Sequence, residues 1–116
     1  MMLMPSRLVA CAAAAALMLG YAGAVAAADN AAASKLATQH ACLGCHAVDK
    51  KLVGPAYKDV AAKYKGDPKA IDYLSNKILK GSTGVWGPVA MPPNAGLSAG
   101  DARALATWVM AGAPAK

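Results

Sequence analysis

The chain has 116 residues, a formal net charge of +6 at pH 7 and a hydrophobic share of 57%. A chain this short can form one small domain, whose core is marginal unless a disulfide, a metal or a cofactor adds to it. Three cysteines, two of them separated by only two residues, do not form a disulfide scaffold. No run of basic residues is present, which argues against nucleic-acid binding.

Residues 1–28 are typical of a secretory signal peptide. Arg7 precedes a stretch, 8–28, that carries no charge and is rich in Ala, Leu and Val. Small residues at its end favour cleavage after Ala28, or after Ala26, which leaves a domain of residues 29–116 and removes Cys11. An uncleaved membrane anchor is the alternative, but the Ala and Gly content makes the segment only weakly hydrophobic. We therefore expect a periplasmic protein whose mature chain is not inserted stably in a membrane.

Four short helices are predicted along the remaining chain. Residues 31–40 are Ala-rich and lack Pro and Gly, which favours a helix that runs into the first cysteine. Gly54-Pro55 places a loop at 50–56, because proline disfavours a helical residue before it. A helix over 57–65 follows. Residues 70–80 place Ile71, Leu74 and Ile78 on one helical face and end at Gly81.

A long loop and a final helix complete the pattern. Residues 81–96 contain four glycines and three prolines, so regular structure is not expected there. Ser98 is a candidate N-cap, with Asp101 three residues later, for a helix that reaches about residue 111. No segment alternates clearly enough to predict a strand. The sequence therefore predicts one all-α domain of about four short helices.

Residues 42–46, Cys-Leu-Gly-Cys-His, carry the strongest chemical signal in the chain. The C-x-x-C-H pattern places two thiols on one side of a turn, where they can form thioethers with the vinyl groups of one haem, and His46 follows as an iron ligand. Two alternatives are open. A thioredoxin-like dithiol requires a βαβ context that is not predicted. A zinc site using His40, Cys42, Cys45 and His46 lacks a second, distant pair of ligands.

A second axial ligand is needed if the iron is to exchange electrons with little rearrangement. The candidates outside the signal peptide are Met91, Met110 and His40. Met110 lies near the apolar stripe of the last helix and suits a core position, and His40 lies on the first helix. Met91 lies in the long loop before Pro92-Pro93, which stiffens the backbone, so it is the preferred ligand.

Four segments resemble small bacterial class I cytochromes c of the c-551 type: 42–46, 53–57, 84–88 and 91–94. The resemblance covers about residues 36–109. It implies a cytochrome c fold around one covalently bound haem c, with Cys42 and Cys45 as attachment sites and His46 and Met91 as axial ligands. It also implies supporting roles for four residues. The carbonyl of Pro55 would accept the proton of the histidine's other nitrogen, Lys77 and Trp86 would approach a haem propionate, and Asn94 would hydrogen-bond near the methionine sulfur.

The predicted function is one-electron transfer by a carrier that is not an enzyme, because both axial positions are filled by the protein. A His/Met pair raises the reduction potential and suits a respiratory or denitrification chain. Expected partners are redox proteins such as a membrane cytochrome complex, a terminal oxidase or a nitrite reductase, met by a monomer through lysines such as Lys50, Lys51 and Lys58. The alternative is a peroxidase-like or haem-sensing cytochrome with an open sixth position.

Overall fold

The structure is a computed structural model that describes residues 29–115. The predicted signal peptide, residues 1–28, lies outside the described residues. Four α-helices are present in the described part: α1 over 29–39, α2 over Tyr57–Lys63, α3 over Ala70–Lys80 and α4 over Ala99–Met110. A 3-10 turn over Cys42–Gly44 follows α1. Residues 29–115 contain no β-sheet strand, and the all-α prediction is confirmed.

The ends of the helices follow local chemistry. The Ser98 hydroxyl accepts a hydrogen bond from the backbone N–H of Asp101 at 3.0 Å, so α4 begins with the predicted cap. Gly81 has a φ of 81° and ends α3 at the predicted residue. Helix α2 is two residues shorter than predicted. Its chain turns at 64–66, where Gly66 has a φ of 80° that an L-residue rarely adopts.

Helix α4 is the centre of the packing. It packs against α3 and against α2, and its inner face is buried at Leu105, Trp108 and Val109. The Tyr57 ring of α2 meets the Trp108 ring edge-on, with the ring centroids 5.5 Å apart. Helix α1 contributes small side chains, of which Ala37 is fully buried. The helices thus form one small core from which two loops, 40–56 and 81–98, extend.

The two loops carry the residues singled out in the sequence. Each is held by an isolated β-bridge, His46 with Lys51 in the first loop and Ser82 with Met91 in the second. In the described part of the chain, no helix is long and apolar enough to cross a membrane.

Candidate haem-binding site

A cleft lies between the two loops and the core. Its lining residues come from two segments, 42–57 and 82–92, and from α2, α3 and α4. Seven of the eight predicted site residues line this cleft: Cys42, Cys45, His46, Pro55, Lys77, Trp86 and Met91. The eighth, Asn94, is not part of the lining.

The two cysteines are presented by a tight turn. Ala41 takes a left-handed conformation, φ 58°, which ends α1 and starts the 3-10 turn. Within it, the N–H groups of Cys45 and His46 both donate to the carbonyl of Cys42, at 3.2 and 3.0 Å. Both thiols and the imidazole therefore reach one cleft. Partial burial raises the pKa of the Cys42 thiol.

The His46 imidazole is held from several directions by the segment 54–57. Its Nδ1–H donates to the carbonyl of Pro55 at 2.7 Å, which leaves Nε2 free to bind a metal. The Tyr57 ring stacks on the imidazole, with centroids 4.9 Å apart and planes 17° apart. A Cβ on Gly54 would lie 2.6 Å from His46 Cε1, so only glycine fits this close approach.

Tyr57 is a site residue that the sequence reasoning did not assign. It lies within 53–57, one of the four segments that resemble c-551-type cytochromes. That location is the feature of the sequence that could have indicated its role. Its side chain is only 6% exposed. Burial, and secondarily the neighbouring Cys42 thiol, raises the pKa of Tyr57, so its hydroxyl is neutral at physiological pH.

Met91 is held by backbone contacts with the end of α3. Its N–H donates to the Ser82 carbonyl at 2.8 Å, and the Ser82 N–H donates to the Met91 carbonyl at 3.0 Å. A Cβ on Gly81 would lie 2.7 Å from the Met91 carbonyl oxygen. Asn94 contacts α3, since its backbone N–H and its Nδ2–H both donate to the Ile78 carbonyl, at 3.1 and 3.0 Å.

Aromatic rings and Lys77 line the remaining side of the cleft, and Lys63 lies over one of these rings. The Lys63 ammonium lies 5.0 Å from the centre of the Trp86 ring, and Lys77 lies 5.3 Å from that of Tyr73. These separations are typical of cation–π contacts. Two positive charges thus lie beside an otherwise apolar cavity, an arrangement suited to a flat apolar ligand with an anionic edge.

The donor set fits a haem better than a bare metal ion. Two thiols, an imidazole and a thioether face the cleft, and valine, leucine and aromatic side chains make up much of its wall. Such soft and borderline donors bind haem iron, and the thiols suit thioether formation. Among residues 29–115, no group of three or more His, Cys, Asp or Glu side chains is placed to hold a metal ion.

Comparison with known proteins agrees with this geometry. The Cytochrome c family model matches residues 30–113. The chain belongs to the cytochrome c family. This cytochrome is 48% identical over 99 residues to cytochrome c-552 of Nitrosomonas europaea, covering 85% of this chain and 88% of the relative. It is 53% identical over 75 residues to cytochrome c-551 of Allochromatium vinosum, covering 65% of this chain and 80% of that protein.

A solved structure has the same fold. The crystal structure of wild-type Nitrosomonas europaea cytochrome c552 superposes with a TM-score of 0.65 at 51% identity, covering 66% of this cytochrome and 95% of that chain. These relatives confirm the resemblance to class I monohaem cytochromes of the c-551 type. Members of the family carry covalently attached haem c, so the cofactor prediction is confirmed as well. The relatives are small electron-carrying cytochromes.

Proposed function

We propose that this cytochrome is a periplasmic one-electron carrier whose haem iron is bound by His46 and Met91. The observation that carries the proposal is the meeting of four groups in one cleft: the thiols of Cys42 and Cys45, the imidazole of His46 and the thioether of Met91. Bound haem c supplies an iron that alternates between the ferrous and ferric states. The chain's own residues attach it, fix its ligands and exclude water.

Each group has a defined task. Cys42 and Cys45 hold the haem covalently by thioether bonds. His46 binds the iron through Nε2, and Pro55 makes the imidazole a better donor by accepting the Nδ1 proton. Met91 would bind the iron from the loop 81–98, and its soft sulfur would favour ferrous iron and raise the potential. If His46 and Met91 both bind the iron, no open position would remain for substrate chemistry.

Three residues are proposed to support this centre. Lys77 and Trp86 line the cleft and would approach a haem propionate, Lys77 with its charge and Trp86 with its indole N–H. Asn94 is proposed to form a hydrogen bond near the sulfur of Met91. Because its amide is bound to the Ile78 carbonyl, we propose that it also holds the loop that carries Met91 at the end of α3.

Electron transfer would take place at the mouth of the cleft. Val53 and Val89 line the cleft from its two opposite loops and are 55% and 62% exposed. Lys50, Lys51 and Lys58 are exposed on the loop that contains Val53 and on the first turn of α2. Exposed apolar side chains, with exposed lysines in the same part of the chain, suit brief encounters with an acidic redox protein of a respiratory or denitrification chain.

The test is replacement of each of the two methionines in the described part of the chain. We expect Met91→Ala to abolish the weak far-red absorption band that methionine sulfur gives with ferric haem iron. We also expect it to open the sixth position to added imidazole or cyanide. Met110→Ala is the matched control, since Met110 lies on α4 outside the cleft lining, and should keep the band.

Two outcomes would reject the proposal. Absence of the band in the wild-type protein would exclude methionine ligation. Loss of the band in Met110→Ala but not in Met91→Ala would assign the ligand to α4 and not to the loop 81–98. Loss of the band in Met91→Ala together with its retention in Met110→Ala supports the proposal.

A further inference from the structure

We propose that Tyr57 is the positioning residue that sets the rotation of the His46 imidazole about its bond to the iron, with Trp108 supporting it from behind. This inference rests on the proposed function, since it takes His46 as the iron ligand. It assigns a role to an aromatic side chain that lines the cleft beside the ligands.

The hydrogen bond between His46 and Pro55 does not by itself fix the plane of the imidazole. The bond from Nδ1 to the Pro55 carbonyl is 2.7 Å long, and it fixes one edge of the imidazole. A single hydrogen bond at one edge restrains rotation of the ring about its bond to the iron only weakly, because the angle at the hydrogen can vary widely. A contact on the ring face is therefore needed to fix the plane.

The Tyr57 ring supplies that contact. The planes of the two rings differ by 17° and the centroids lie 4.9 Å apart, an offset-stacked geometry that favours near-parallel rings. Rotation of the imidazole away from this plane would drive its edge into the phenol ring. The close approach of Gly54 at the Cε1 side limits rotation further.

Tyr57 is itself held in place, so its ring can fix the orientation of the imidazole. Its backbone N–H donates to the Ala47 carbonyl at 2.9 Å, and the Gly54 N–H donates to the Cys45 carbonyl at 2.7 Å. These two bonds fasten the segment 54–57 to the residues on either side of His46. The side chain is buried, so it has little room for a second rotamer.

Trp108 extends this support into α4. Its ring meets Tyr57 edge-on at 5.5 Å, and its Nε1–H donates to the Pro114 carbonyl at 2.8 Å. The chain His46, Tyr57, Trp108 thus connects the ligand to the buried face of the central helix. Orientation of the imidazole plane matters because it determines which porphyrin positions carry most unpaired spin in the ferric state.

The experiment compares haem-loaded ferric proteins by proton NMR. The strongly shifted haem methyl resonances respond to the orientations of both proposed iron ligands. A changed methyl pattern reports the imidazole plane where the upfield signals of the bound methionine remain as in the wild type. Tyr57→Leu removes the ring face, and we expect the methyl resonances to change in order or spread. Tyr57→Phe retains the face and should keep the wild-type pattern, which separates ring stacking from the hydroxyl.

Tyr64→Leu is the matched control. Tyr64 also lines the cleft near the end of α2, but its ring contact is with Tyr73, at 5.4 Å, and not with His46. We expect its methyl pattern to change less than that of Tyr57→Leu. If Tyr57→Leu does not take up haem, Trp108→Leu provides the second variant, with a smaller change of the same kind expected.

The outcomes separate this inference from the proposed function. A wild-type spectrum without the upfield signals of a bound methionine would refute the His/Met centre itself. A wild-type spectrum with those signals, together with an unchanged methyl pattern in Tyr57→Leu, would overturn the positioning role alone. Equal changes in Tyr57→Leu and Tyr64→Leu would also overturn it, because any lost cleft ring would then suffice.

Discussion

Close contacts around single residues hold the histidine in place. The imidazole of His46 has a carbonyl at one nitrogen and an aromatic ring on its face. It also has a glycine so close that an added Cβ would come within 2.6 Å of Cε1. Real Cβ atoms do not approach other atoms so closely, and Gly54 is fastened to the Cys45 carbonyl by its own N–H. The histidine therefore has to move if this glycine acquires a side chain.

Gly54→Ala is expected to destabilise the haem-loaded protein by about 1–3 kcal/mol, the usual cost of overpacking. It is also expected to weaken the His46 bond to Pro55. Chemical denaturation followed by haem absorbance measures the change in free energy of unfolding. Gly96→Ala is the control, because no heavy atom lies within 4 Å of its added Cβ, and it should change stability by less than about 0.5 kcal/mol. Equal stability of the two variants would show that the site accommodates the methyl group.

Helix α3 both contributes to the core and holds the loop that contains Met91. One face packs on α4, and its C-terminal end anchors the loop that contains Met91. The anchor consists of two hydrogen bonds from Asn94 to the Ile78 carbonyl and the Ser82–Met91 bridge. Carbonyls in the last turn of a helix lack helical partners, so the loop satisfies one of them while it is held in place.

Removal of one anchor should loosen the methionine without unfolding the protein. Asn94→Ala deletes the Nδ2 hydrogen bond and keeps the backbone bond, and we expect a loss of about 1 kcal/mol of stability. We also expect tighter binding of added imidazole by the ferric protein, because Met91, the proposed ligand, would leave the iron more readily. Titration by absorbance measures this affinity. Asn76→Ala, at an exposed position on α3, is the control and should bind imidazole as the wild type does. Equal imidazole affinity of the two variants would show that the Asn94 side chain does not hold the loop that contains Met91.

A second element-level prediction concerns the start of α4. Ser98→Ala removes the acceptor for the Asp101 N–H and should lower the free energy of unfolding by about 1 kcal/mol. Ser98→Asp retains an acceptor and should restore most of this loss. Thermal denaturation of both variants provides the comparison, and a stable Ser98→Ala protein would mean that the cap contributes little.

The whole molecule combines positive charge with an apolar cleft mouth. The chain carries 12 Lys and Arg against 6 Asp and Glu. The Arg103–Asp72 ion pair is mostly exposed on both sides and contributes little to stability. The more relevant role of charge is attraction of partners over distances comparable to the screening length.

Oxidation of the ferrous protein by small charged complexes tests this steering. The rate with ferricyanide should fall as ionic strength rises, and the rate with a cationic cobalt(III) phenanthroline complex should rise. Lys58→Glu should reduce both slopes, because Lys58 lies next to the loop 46–53, to which its N–H is bound at Val48. Lys35→Glu on α1 changes net charge equally and should affect the slopes less. Rates independent of ionic strength would argue against charge steering at this face.

The sequence alone determined the parts of this protein that depend on neighbours along the chain. The C-x-x-C-H turn, the limits of α3 and the Ser98 cap follow from residues one to four positions apart. Only the tertiary structure decided that Tyr57 faces His46 and meets Trp108, and that Asn94 binds Ile78. Those pairs lie 11, 51 and 16 positions apart, and their contacts depend on how helices pack rather than on any local pattern.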